Sequence, residues 1–315
     1  MTGHPVLEVG GTHVRASRID TTTWHPLPGS AYRLPLDGSG SADAITATIV
    51  ACADALCLAP SETLSVAIPG PFDYHAGIAR FEGVGKFDDL AGVDLRQTLL
   101  NRMAQPPGQV KFVNDAEAFG LGEWFAGSAR GYQRAVAITL GTGVGSVFIE
   151  GGRIVRSGPS VPPGGHVYRL VVGGLRLEDT VSRRAIVAAY DHLASSPRTD
   201  GQDVREIAAA ALSGDQVAAR IFAHAFRLLG ETLAPWLVLF RAQVLVVGGG
   251  LSASWPLICG PLRNGLSEAA DEVAMVRSAN TENAIAVGAA CGATECRAVA
   301  QPVPGPAMTG STERT

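Results

Sequence analysis

Apolar residues recur along this chain in two periods, and the alternation between them lays out its elements. Residues 5–9 form a short apolar run that stops at Gly10-Gly11. The alternation His13-Val14-Arg15-Ala16-Ser17-Arg18-Ile19 then predicts a second strand returning beside the first. Over 41–58 the period changes, with Ile45, Ile49, Cys52 and Leu56 at helical spacing and Ser41 or Asp43 placed as N-cap. Buried strands are predicted over 63–68 and 110–113, running into Pro69-Gly70-Pro71 and Asn114-Asp115. A helix follows over 116–125, and strands 135–139 and 146–150 bracket another glycine turn as a second hairpin. Helices are expected over 180–193, 204–212 and 216–240, with Pro235 a candidate kink in the last. A strand over 244–247 feeds Gly248-Gly249-Gly250, and helices 255–266 and 283–293 close the periodic part. Residues 301–315 are rich in Pro, Gly, Ser and Thr without periodicity and read as a disordered tail.

The glycine turns carry the first chemical signal. Val9-Gly10-Gly11-Thr12 and Thr139-Leu140-Gly141-Thr142-Gly143-Val144-Gly145 each follow a strand and return as a hairpin. Such turns offer backbone N–H groups and a threonine hydroxyl to polyphosphate oxygens, and their repetition suggests two related halves gripping one nucleotide. The return into a strand counts against a Walker-type loop and a dinucleotide fingerprint, both of which need a helix N-terminus directly after the glycines. Asp115, just past a buried strand and at a helix start, is the candidate catalytic base. Its alternative role, shared with Asn114, is to cap the helix that begins near Ala116.

Composition narrows the partners. The 315 residues suit two α/β domains, and 46% hydrophobic with 17% charged residues specifies a globular chain. A net charge of −4 with no Lys/Arg block disfavours nucleic acid and leaves a small molecule as the expected ligand. The five cysteines (Cys52, Cys57, Cys259, Cys291, Cys296) contain no C-x-x-C pair and read as reduced core thiols. The N-terminus shows no signal-peptide pattern, and no apolar run approaches the roughly 18 residues of a membrane span, so a cytoplasmic location without membrane contact is expected.

Taken together, Glu8-Val9-Gly10-Gly11-Thr12, Pro69-Gly70-Pro71-Phe72-Asp73, Asn114-Asp115, Leu140-Gly141-Thr142-Gly143-Val144-Gly145, Gly165-His166, Leu177-Glu178 and Val247-Gly248-Gly249-Gly250-Leu251-Ser252 form a series that resembles the ROK family of bacterial sugar kinases and repressors, its glucokinases above all. The resemblance covers residues 6–293 in order and spacing. It implies an α/β chain of the actin-like ATPase (ribonuclease H-like) fold, with two lobes and a central cleft. Residues 1–115 would form the smaller lobe, completed by a helix near 283–297; residues 116–282 would form the larger lobe, and 298–315 a tail. It also implies ATP with Mg²⁺, a homodimer, and transfer to the primary hydroxyl of a hexose or hexose-like ring such as glucose, an amino sugar or a C7 cyclitol. Glu8, Gly10, Gly11, Thr12, Gly141, Thr142 and Gly143 would then hold the phosphates, with Gly249 and Gly250 near the adenosine. Asp115 would be the base, and Gly70, Asn114, His166 and Glu178 would border or bind the sugar.

Three positions depart from the family pattern. Glu8 stands where an aspartate is usual, which adds a methylene beside the first turn. Pro163 in Pro163-Gly164-Gly165-His166 replaces a glutamate that grips a sugar hydroxyl, a loss of about 1.5–3 kcal/mol for a standard hexose. An acceptor that lacks or replaces that hydroxyl, such as an amino sugar, deoxy sugar or cyclitol, would not suffer the loss. Residues 167–176 contain no cysteine, so the zinc site of many relatives is not expected, and no metal-ligating residue is assigned. The alternatives are a non-catalytic sugar-binding regulator and a ligand-binding protein that has lost turnover.

Overall fold

The computed structural model describes residues 3–193, 203–279 and 281–293. In chain order the first part comprises β1 (His4–Val9), β2 (His13–Asp20), β3 (His25–Pro26), β4 (Tyr32–Pro35), α1 (Ala42–Asp54), β5 (Thr63–Ile68), β6 (Phe72–Asp73), β7 (Ile78–Ala79), α2 (Leu95–Arg102) and β8 (Gln109–Asn114). There follow α3 (Asp115–Ala126), β9 (Arg134–Leu140), β10 (Val144–Glu150), β11 (Arg153–Ile154), β12 (Val171–Val172), β13 (Leu175–Arg176), α4 (Glu178–Val181), α5 (Arg183–Leu193), α6 (Val204–Leu212) and α7 (Gln216–Phe240). The last elements are β14 (Val244–Gly248), α8 (Trp255–Leu266), β15 (Ala274–Arg277) and α9 (Thr281–Ala293).

Two sheets repeat one plan. The first runs β3-β2-β1-β5-β8, with β4 also on β2, and the second runs β11-β10-β9-β14-β15. In each, an antiparallel hairpin supplies one strand against which two further strands lie parallel: β1 then β5 and β8, β9 then β14 and β15. Parallel strands buried on both faces read as near-continuous apolar runs, as 244–247 does and as 64–68 does apart from the buried Ser65. The turns closing the two hairpins are therefore the two glycine turns, in equivalent places.

Helices α3 and α9 lie between the sheets. Phe119, Leu121 and Trp124 of α3 share a core with Ala137, Val147 and Ile149 of the second sheet. Ala286, Val287 and Ala290 of α9 share another with Val6, Ile19 and Ala67 of the first. Glycines let the two helices cross at backbone contact: a Cβ on Gly122 would stand 2.6 Å from the Ala284 carbonyl carbon, and one on Gly288 2.6 Å from that of Ala118, with the carbonyl oxygens nearer still. The buried Glu123 carboxylate accepts hydrogen bonds from Ser278 Oγ (2.5 Å) and the Ser128 N–H (2.7 Å), which ties the end of α3 to the segment before α9. The outer face of the second sheet carries the larger core, with Phe222, Phe226, Leu229 and Leu233 of α7.

Several boundaries differ from the sequence pattern. The expected helix 180–193 begins at Glu178 and breaks at Ser182, whose ψ of 164° is extended. The helix expected to reach residue 58 ends at Asp54, because Cys57 takes a left-handed φ of 47°. Helix α7 continues through Pro235. Of the cysteines expected in the core, Cys52 and Cys291 are buried, but Cys57 is exposed and Cys259 only partly covered. Cys296, residues 294–297 of the expected terminal helix and the tail at 298–315 lie outside the described residues. No helix among the described residues is long and apolar enough to cross a membrane.

Candidate active site

Strand β8 delivers Asn114 and Asp115 to the start of α3, and the two side chains divide the tasks that either could have served. Asn114 is the N-cap: its Oδ1 accepts from the N–H groups of Ala116 (3.0 Å) and Glu117 (3.2 Å). Its Nδ2 donates to Tyr74 Oη (2.8 Å), whose hydroxyl donates to the Ile68 carbonyl (3.3 Å). Beside that cap, the Asp115 carboxylate shares the Ala116 N–H (2.9 Å). Burial pushes the Asp115 carboxyl above the usual carboxylate range, and the Lys86 ammonium and the Ala116 N–H only partly oppose it. Burial likewise holds the Tyr74 phenol protonated. Gly70 lies against this pair: a Cβ there would stand 3.4 Å from Tyr74 Oη and 3.9 Å from Asn114 Nδ2.

The second glycine turn is clasped by the segment that follows it in space. Val144 N–H donates to Glu178 Oε2 (2.9 Å), and the Gly141 carbonyl accepts from the Arg183 N–H (2.9 Å), so α4 and the start of α5 hold both ends of the turn. The Gly141 N–H is spent on the Gly143 carbonyl (3.0 Å). Among the described residues the N–H groups of Thr142 and Gly143 enter no internal hydrogen bond, which leaves two adjacent donors for an anion. That donor pair is what a nucleotide phosphate requires, and the turn fits it. Gly249, with φ of 82°, lies flat on the same strand end, since a Cβ would stand 2.6 Å from the Leu140 nitrogen. The third glycine cluster thus packs directly behind the second.

His166 is fixed from below by a residue the sequence pattern did not single out. Buried Ser146 Oγ donates to the Gly165 carbonyl (2.6 Å) and accepts from the Val167 N–H (3.0 Å), pinning the loop on both sides of His166. The imidazole lies over the Tyr168 ring at 5.4 Å, and burial, aided by the Arg169 charge, lowers its pKa, which favours the neutral ring. Arg169 covers the other part of Tyr168, with Nε donating to Tyr168 Oη (2.9 Å). Pro163 is exposed and is not part of the cavity wall, whereas Gly164 and His166 are.

These groups face one cleft of about 2420 Å³, larger than the roughly 300–1,000 Å³ of a single small-molecule pocket. Its wall brings together Gly70, Asn114, Asp115, Gly141, Thr142, Gly143, His166, Glu178 and Gly249. Glu8, Gly10, Gly11, Thr12 and Gly250 are not in that wall. Glu8 is held by Arg15 (3.7 Å), which also donates to Asn283 Oδ1 (2.8 Å). The first turn meets the cleft through Lys86, whose Cδ would lie 3.4 Å from a Cβ on Gly11. Sequence reasoning missed Tyr74, Lys86, Ser146, Tyr168 and the wall pair Glu117 and Arg156. Glu117 alone had a local signal, standing three residues after the Asn114 cap where a capping-box carboxylate is expected. Among the described residues no group of three or more His, Cys, Asp or Glu could hold a metal ion.

Twin sheets of hairpin-plus-parallel-strand plan around an α3–α9 pair define the fold of the ROK sugar kinases, within the actin-like ATPase class. The crystal structure of a ROK family glucokinase from Streptomyces griseus in complex with glucose and AMPPNP superposes with a TM-score of 0.73 at 24% identity, covering 93% of this chain and 99% of that one. The ROK family model matches residues 7–294, and the chain belongs to the ROK family. It is 31% identical over 221 residues to a glucokinase of Thermotoga maritima, covering 64% of this chain and 67% of that enzyme. A Streptomyces coelicolor glucokinase is 32% identical over 172 residues, covering 48% of this chain and 54% of its own length.

Proposed function

We propose that this protein is an ATP-dependent kinase that phosphorylates the exocyclic primary hydroxyl of a hexose or hexose-like ring, with Asp115 as general base. The observation that carries the reading is the common wall: a carboxyl held above its ordinary pKa, at a helix start already capped by Asn114, lines the same cleft as a glycine turn with two adjacent unspent N–H donors. A base whose pKa moves toward neutrality is better matched to accept a hydroxyl proton as the γ-phosphate is attacked. The membership of the family, whose glucokinase relatives are named above, supports the same assignment.

In this reading the N–H groups of Thr142 and Gly143 receive phosphate oxygens, and Gly249 backs the turn on the nucleotide side. Asn114, His166 and Glu178 orient the ring hydroxyls, Gly70 leaves room beside them, and Asp115 takes the proton. Glu178, bonded to Val144, makes the acceptor side and the phosphate turn parts of one rigid clasp. Mg²⁺ would arrive on the nucleotide, coordinated largely by phosphate and water oxygens. Glu8, paired with Arg15 outside the cavity wall, does not fit a direct ligand, and no step is assigned to it. The two sheets with their helices would act as two lobes about the cleft, residues 1–115 with α9 against 116–282, in a homodimer. The test is ADP release from MgATP with glucose, mannose, fructose, amino hexoses and C7 cyclitols as acceptors. Acceptor-dependent ADP formation that disappears in Asp115→Asn is expected; sugar binding with no ATP consumption would instead support a sensor or regulator.

A further inference from the structure

The cleft wall contains an ion pair that the proposed chemistry does not use. Glu117, two residues after Asp115 in α3, is gripped at both oxygens by Arg156: Nε to Oε1 at 2.6 Å and the Nη2 amine to Oε2 at 2.8 Å. Both side chains line the cleft, and with Glu117 12% exposed and Arg156 57% the guanidinium is the more open member of the pair. Arg156 comes from the strand-end loop after β11, and both members of the pair act electrostatically on His166. The carboxylate has spent its fork on the guanidinium, while Arg156 keeps its Nη1 donors and has no acceptor capacity at all. The pair therefore presents hydrogen-bond donors to the acceptor side of the cleft, on the side of the wall shared with His166. A carboxylate grips a hydroxyl or an ammonium, whereas a guanidinium, which only donates, binds carboxylate or carbonyl oxygen most strongly and cannot bind an ammonium.

We infer that Arg156, positioned by Glu117, is a specificity-determining residue that selects acceptors whose ring carries a carbonyl or carboxylate oxygen, and disfavours acceptors with a free ammonium group. This rests on the kinase reading for the identity of the site, and it narrows that reading by removing plain amino sugars from the preferred class.

The experiment measures binding and turnover separately for the full chain with glucose, glucosamine, N-acetylglucosamine, N-acetylmannosamine and gluconate. Calorimetry without nucleotide is expected to rank at least one N-acetyl or carboxylate probe above glucosamine. Arg156→Gln is expected to reduce that ratio about 10- to 150-fold, the range of one lost hydrogen bond to a charged group. Arg156→Lys, which keeps the charge without the fork, should fall between, and Glu117→Gln should weaken the ranking without reversing it. Glucosamine binding best in the unaltered protein, an unchanged ratio in Arg156→Gln, or no binding by any probe would each overturn the inference. The predicted ranking without ADP formation would sustain it and refute the kinase reading; ADP formation with an unchanged ratio would do the reverse.

Discussion

Replacing Gly122 with alanine tests how the α3–α9 crossing positions the site. On an open helix the change would stabilise by about 0.5–1 kcal/mol through backbone entropy. Here the new Cβ would stand 2.6 Å from the Ala284 carbonyl carbon, where ordinary contact begins at 3.4 Å, so the helices must part by roughly 0.8 Å or more. Overpacking of that kind costs about 1–3 kcal/mol, and backbone on both sides leaves little room to yield. The net expectation is a loss of about 1–2 kcal/mol, at roughly 2–4 °C per kcal/mol for a chain approaching this size. Gly292→Ala in α9, where the added Cβ would meet Leu121 Cδ1 at 4.0 Å, an ordinary contact, is the control and should not lose stability. Urea titration of both variants reads the difference. Because Gly122 and Asp115 share α3, turnover in Gly122→Ala should fall further than acceptor affinity. Stability equal to or above the parent in Gly122→Ala would refute the close crossing.

Three further outcomes follow from the site. Asp115→Asn should lower kcat by about 10²–10⁴-fold, and the parent's kcat/KM should begin to fall on the acid side at a pH above the ordinary carboxylate range. A carboxyl whose folded pKa is raised adds stability that is complete below its unfolded pKa and is lost as pH rises through the folded one. Asp115→Asn should therefore be no less stable than the parent at neutral pH, and marked destabilisation there would count against a raised pKa. Ser146→Ala should cost about 1–3 kcal/mol by stranding the Gly165 carbonyl and Val167 N–H, and raise acceptor KM through His166; an unchanged KM would separate the pin from the sugar. Glu178→Ala should weaken acceptor and nucleotide together, since it removes the bond to Val144, and a change in acceptor KM alone would show that the turn does not depend on it.

The parts of the fold legible in the sequence are those where one period persists. Alternation over 13–19 and predominantly apolar runs at 63–68 and 244–247 mark the hairpins and parallel strands nearly residue by residue. Breaks inside a continuing pattern were harder to read: Ser182 caps the second helix, its Oγ accepting from the Ala185 N–H (3.3 Å), but a serine within a helical period is not by itself a break. The choice between Asp115 as cap and Asp115 as base was also open, because capping is a matter of which of two adjacent side chains turns inward, and Asn114 does so. Ser146 and Arg156 were hidden for another reason. Their partners stand 19 to 39 residues away and meet them only through tertiary folding, so no local spacing marks them.

The central claim is transfer of a phosphoryl group across this cleft to a primary alcohol. ³¹P NMR of MgATP incubated with the protein and its best-binding acceptor reads that directly. The account predicts ADP together with a new phosphomonoester split by a single methylene, absent with Asp115→Asn. An unchanged ATP spectrum, or ADP with inorganic phosphate and no ester, would contradict it.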